Sequence, residues 1–169
     1  MLKSHEIFAR MSPAVGESLF SFLHENERPL YKTTIDTLAA QRKLRAVFVE
    51  RKPRAERHAW LKEVLGKKIN EAVAAHLLQI WLVGAQSKLL CDFLDALGIA
   101  HDANGTIENL PPEPSKEDLA KAVDTLLATH DPAVVTVYLH AFQALDEKGW
   151  PGLSALLEED PRLKIRVTG

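Results

Sequence analysis

One cysteine in 169 residues is the first absence that matters. Cys91 has no partner for an internal disulfide, so the fold is expected to stand without covalent staples in a reducing compartment such as the cytoplasm. Glycine-rich phosphate loops are missing as well. Neither GxGxxG nor GxxxxGKS/T occurs, which removes the usual strand–loop–helix nucleotide sites. No serine stands in a GxSxG setting, so a covalent hydrolase has no candidate nucleophile. Long apolar runs are lacking too. The opening MLKSHEIFARMSP is broken by Lys3, His5, Glu6 and Arg10, unlike a signal peptide, and is expected to stay in the mature protein. The most apolar stretch, 69–91, is interrupted by Glu71, His76, Gln79, Gln86 and Lys88, whereas a spanning helix needs about 20 largely uninterrupted apolar residues. No membrane span is expected. No segment recurs at a fixed interval, which excludes a regular helical solenoid.

What is present suits one globular domain covering residues 1–169. Hydrophobic residues make up 46% and charged residues 26%, too apolar for a disordered chain. The net charge of −2 hides a division between the two parts of the chain. Residues 1–68 hold 14 Lys+Arg against 8 Asp+Glu, and residues 69–169 hold 7 against 15. Within the basic part, residues 41–68 hold 10 against 3. Such a division serves either an anionic partner or two faces of one fold that attract each other.

Hydrophobic spacing is helical almost throughout. Ser12-Pro13 opens a helix to about residue 25 with Val15, Leu19, Phe20, Phe22 and Leu23 inward, since the serine hydroxyl caps and proline has no donor to lose. Pro29 opens the next, to about Arg42. Residues 43–51 fit a strand by composition, but Leu44, Val47 and Phe48 form a helical stripe, and helix is preferred. Pro53 interrupts, and a helix over 55–65 with Trp60, Leu61, Val64 and Leu65 inward ends at Gly66. The segment 70–85 is apolar nearly all round and is expected to be the covered central helix. Ser87 is expected to cap a helix over 88–97 that leaves through Gly98 in a left-handed conformation. After an irregular stretch, 99–114, Ser115 caps a helix over 116–129. Asp131-Pro132 opens another over 132–147. Leu153, Leu156 and Leu157 anchor a last short helix before Pro161. The reading is an all-α irregular bundle of about seven to eight helices around residues 70–85.

The irregular stretch holds HDANGTIE. Aligning Gly105 with the invariant glycine of an EF-hand loop puts Ala100 at the first ligand position and Pro111 at the twelfth, and neither can bind calcium. An Asn-Gly turn with Asp102 bonded to nearby backbone is the expectation. The string ALGIAHDANG resembles the histidine–aspartate doublet of the helical HD-type metal phosphohydrolases over about ten residues. The resemblance implies a divalent metal held by His76, His101 and Asp102, with a later aspartate such as Asp124, activating water to hydrolyse a phosphate ester. Gly98 departs from it by ending the helix ahead of the doublet, and Thr106 stands where the family carries a lysine.

The remaining candidates have structural readings. Asp131 caps its helix, which leaves His130 at a helix C terminus, where positive charge is favoured. His58 and His140 are expected to be satisfied in the interior, Cys91 to be buried and inert, and Asp92 and Asp95 to share an outward face. The leading functional reading is a non-catalytic helical protein-interaction domain, with a protein partner (a second copy or another chain) and no cofactor. One alternative is the metal phosphohydrolase with His76, His101 and Asp102. The other is nucleic-acid or anionic-surface binding through 42–68, with Arg51, Arg54, Arg57, Lys67 and Lys68 as anion-binding residues.

Overall fold

The computed structural model describes residues 1–144 and 149–165. These residues form an all-helical irregular bundle without strands. The helices are α1 (Ser4–Arg10), α2 (Pro13–Asn26), α3 (Arg28–Gln41), α4 (Ala46–Glu50), α5 (Arg54–Leu65), α6 (Glu71–Ala85), α7 (Ser87–Ala96), α8 (Lys116–Thr129), α9 (Pro132–Gln143) and α10 (Pro151–Glu159). Two 3-10 turns, Lys68–Asn70 and Pro161–Leu163, accompany them. The expected extension of the 132–147 helix past Ala144, and the tail beyond Ile165, lie outside the described residues.

Three helix starts follow the sequence signals. The Ser12 hydroxyl accepts from the Val15 N–H at 3.2 Å, the Ser115 hydroxyl from Asp118 at 3.1 Å, and the Asp131 carboxylate from Ala133 at 3.0 Å. Ser87 behaves differently: it is the first helical residue of α7, and Gln86 precedes it without a side-chain cap. Gly98 takes the expected left-handed conformation, φ +68. Gly66 does not, and its value is steric, because a Cβ there would stand 3.1 Å from that of Ala9. The missing side chain lets α1 lie against the end of α5.

α1 opens with one local bond, the Lys3 N–H donating to the Glu6 carboxylate at 2.7 Å. Its first N–H groups are capped from a distance by Glu71, whose carboxylate accepts from Ser4 at 3.0 Å and His5 at 2.8 Å. Burial opposes ionisation of Glu71, but these bonds and the His5 ring outweigh it and hold its pKa below the ordinary value. Ile7, Phe8 and Met11 are sealed from water, and α1 touches α5, α6 and α9. It thereby joins the N-terminal helices to the C-terminal ones.

α6 packs on α1, α2, α5 and α7 through Ala74, Leu77, Leu78, Trp81 and Leu82. It is not covered all round, because Ala72, Ala75, His76 and Gln79 stay exposed. The alanines raise its apolar content without demanding a neighbour, which is why composition overstated its burial. The most enclosed helix is α9, buried continuously from Val135 to His140. Among the described residues no single helix is long and apolar enough to cross a membrane.

Candidate docking surface

The α3–α4 edge is helical over 46–50, in line with the helical stripe. Leu44, Val47 and Phe48 are nevertheless 42%, 38% and 61% exposed, and Val49 is the α4 residue sealed into the core. With only five residues, α4 has room for one such anchor. The turn before it explains the outward pointing. Lys43 has φ +56, a left-handed conformation costing a side-chain-bearing residue about 1–2 kcal/mol. The Leu44 N–H then donates back to Ala39 at 2.9 Å, a Schellman-type close of α3 that projects the chain away from the bundle.

Cations surround the apolar tip. Arg42, Lys43, Arg45 and Arg51 are exposed and Lys52 is half-buried, and none makes a side-chain ion pair among the described residues. The one carboxylate on α4, Glu50, is engaged by Lys32 at 3.5 Å. The edge therefore combines exposed apolar side chains with uncompensated positive charge.

A buried polar chain holds the edge in place. Arg57 donates through Nη2 to the Lys52 carbonyl at 3.1 Å and through Nη1 to the Tyr31 hydroxyl at 3.2 Å. The Tyr31 hydroxyl lies 2.9 Å from His58 Nε2, and His58 Nδ1 lies 2.7 Å from Glu17. Burial pushes the His58 pKa down and Arg54 and Arg57 push the same way, so the bond to Glu17 only partly offsets them. A neutral ring then donates from Nδ1 to the Glu17 carboxylate and accepts the Tyr31 proton at Nε2. Burial opposes the ionisation of Glu17, but His58 and Ser21 hold its pKa below the ordinary value. The bond to Lys52 ties α5 to the turn after α4, and the others each join two of α2, α3 and α5, which fixes the hairpin that carries α4.

The five residues expected to bind anions do not form one surface. Arg51 belongs to the α4 edge. Arg54 is turned to Glu17 at 3.5 Å and Glu25 at 3.4 Å, and Arg57 is in the buried chain. Lys67 and Lys68 lie past the other end of α5, about 20 Å along a helix of 1.5 Å rise from Arg54.

The histidines and aspartates are paired two by two. His101 Nε2 meets Asp95 at 2.7 Å, and its pKa is raised by the Asp102 carbonyl first and Asp95 second. His130 Nε2 meets Asp92 at 2.7 Å, a bond that lowers the Asp92 pKa. Asp102 closes the Asn-Gly turn as expected, accepting from the Asn104 and Thr106 N–H groups, each at 2.9 Å. His76 is exposed on α6, and Asp124 pairs with Arg162 at 2.8 Å. Among the described residues no three His, Cys, Asp or Glu side chains gather to hold a metal. Cys91 is half-buried, its thiol raised by desolvation and by Asp95, Asp92 and Asp102. His140, buried, faces the Leu163 carbonyl at 3.1 Å.

Comparison with known proteins adds no relative: the chain matches no family model, no curated protein and no solved structure.

Proposed function

We propose that this chain is a non-catalytic interaction domain that docks an acidic protein surface on the α3–α4 edge. The observation that carries the reading is the exposure of Leu44, Val47 and Phe48 within a rim of unpaired cations. An apolar centre with a polar rim is the anatomy of a protein interface, and an aromatic residue is a common anchor. Burying Phe48 alone contributes about 1.5–3 kcal/mol of transfer free energy. Two copies of this edge repel, since each brings the same cations. The other large exposed apolar residues described are Met1 and Ile69, one in each part of the chain, so among the described residues the acidic part shows no cluster of exposed large apolar side chains to match this edge in a second copy. A different protein, acidic around an apolar centre, fits best.

The test is a titration of isotope-labelled protein followed by backbone amide shifts. The probes are an acidic amphipathic helical peptide, its lysine-for-glutamate counterpart, a DNA duplex and anionic vesicles. Saturable shifts over 42–52 with the acidic peptide alone are expected. Binding of the duplex or the vesicles without binding of the peptide would replace this reading.

A further inference from the structure

A cavity of about 270 Å³ lies between α6, α7, α9 and the turn after α7, on a different face from α4. Its walls include Leu78 and Leu82 of α6, Leu94 of α7, Ile107 of the turn, and Tyr138 and Phe142 of α9. The turn is built to close it. Gly105 has φ +74, and a Cβ there would stand 2.5 Å from that of Leu90 and 2.8 Å from the Cys91 nitrogen. Only glycine lets the chain come this near α7, and the Asp102 bonds to Asn104 and Thr106 hold it there.

Tyr138 is the unusual member of the lining. It is 4% exposed, its ring meets Phe93 edge-on with centroids 5.6 Å apart, and its hydroxyl, which has no hydrogen-bond partner among the described residues, is not one of the polar atoms sealed from solvent there. An open tyrosine hydroxyl on a mostly apolar wall offers one hydrogen bond to an incoming group. Desolvation raises its pKa further, so the group stays an O–H donor. Other polar side chains at the cavity are Ser4, Gln79 and Thr106, and no charged side chain among the described residues lines it.

The geometry points to a binding site for a small, neutral, largely apolar molecule with one oxygen that accepts from the Tyr138 hydroxyl. A carboxylate or phosphate would lose its hydration there and meet no cation among the described lining residues, which favours a neutral ligand. The volume is nearly twice the ~150 Å³ of an apolar cavity that holds benzene, so a fused two-ring aromatic or a short aliphatic alcohol or ketone fits. This site is independent of the docking edge.

The experiment measures binding of 2-naphthol, naphthalene, 1-octanol and octanoate by calorimetry or ligand-observed resonance on the wild-type protein, Tyr138→Phe and Ala75→Leu. Ala75 is exposed at the cavity rim, so leucine there narrows the site without entering the core. The wild type is expected to bind 2-naphthol saturably and to prefer 1-octanol to octanoate. Tyr138→Phe should weaken 2-naphthol about fivefold to tenfold while leaving naphthalene unchanged. Ala75→Leu should weaken both and decides the matter even if the phenylalanine variant does not fold. Absence of saturable binding to the wild type, octanoate binding tighter than octanol, or unchanged 2-naphthol affinity in Ala75→Leu overturns the proposal.

Discussion

The Tyr31 hydroxyl sits 2.9 Å from His58 Nε2, joining two helices whose contributing residues are 27 positions apart. With Glu17 on the other ring nitrogen and Arg57 on the tyrosine, the histidine is satisfied on both sides only while neutral at Nε2.

That arrangement sets a pH dependence. The folded-state pKa of His58 is depressed by burial first, with Arg54 and Arg57 adding to it and Glu17 opposing. His24 and His140 are also lowered, each by burial first, while His101 at the surface is raised. For a lowered histidine the unfolded chain binds the proton more readily. Stability is therefore fully present above the ordinary value of 6.5 and is lost as pH falls through it. Thermal unfolding followed from about pH 8 to about pH 5 should show Tm falling below that value, with a shallower fall in His58→Gln. A flat wild-type profile would contradict this account of His58.

Lys43 gives a stabilising substitution. Its left-handed conformation is the one glycine adopts freely at a helix exit, so Lys43→Gly should raise stability by about 0.5–1 kcal/mol in denaturant unfolding. Destabilisation would mean that the lysine side chain holds the turn.

The glycines 98 and 105 should respond unequally to alanine. Both have positive φ, but a Cβ at Gly98 meets nothing within 4 Å, whereas one at Gly105 collides with α7. Gly98→Ala is expected to cost about 1 kcal/mol from strain alone, and Gly105→Ala about 2 kcal/mol or more, read from chemical denaturation. Equal costs would show that the turn relaxes away from Leu90.

Asp102 should behave as a turn residue. Asp102→Ala removes the acceptor for the Asn104 and Thr106 N–H groups and should speed hydrogen exchange at both, whereas Asp102→Asn retains an acceptor and most of the protection. His76→Ala, at an exposed site, should leave unfolding within about 0.5 kcal/mol of wild type.

Which features could be read from the chain follows from how local their causes are. The caps at Ser12, Ser115 and Asp131 act within three residues, and the turn at Asp102 within four; all were legible. α1 was not, because Glu6 supplies only the local bond to the Lys3 N–H, while Glu71, which caps Ser4 and His5, lies 67 and 66 positions away. Leu44, Val47 and Phe48 carry the spacing of a buried stripe, and spacing alone does not say whether a neighbouring helix exists to cover it. The left-handed Lys43 that turns them outward has no compositional signal, since lysine is not a residue that favours that conformation. The cavity needed α1, α6, α7, the turn after it and α9 to meet; the three long helices and the Asn-Gly turn were each legible, but their meeting was not.

The most direct measurement of the central claim is the affinity of an acidic amphipathic peptide for the wild type and for Phe48→Ser, with unfolding free energies recorded in parallel. Because Phe48 is 61% exposed, its replacement should change stability by no more than about 0.5 kcal/mol while weakening the peptide at least about tenfold. Unchanged affinity in a folded Phe48→Ser protein would show that the α4 edge is not where this domain meets its partner.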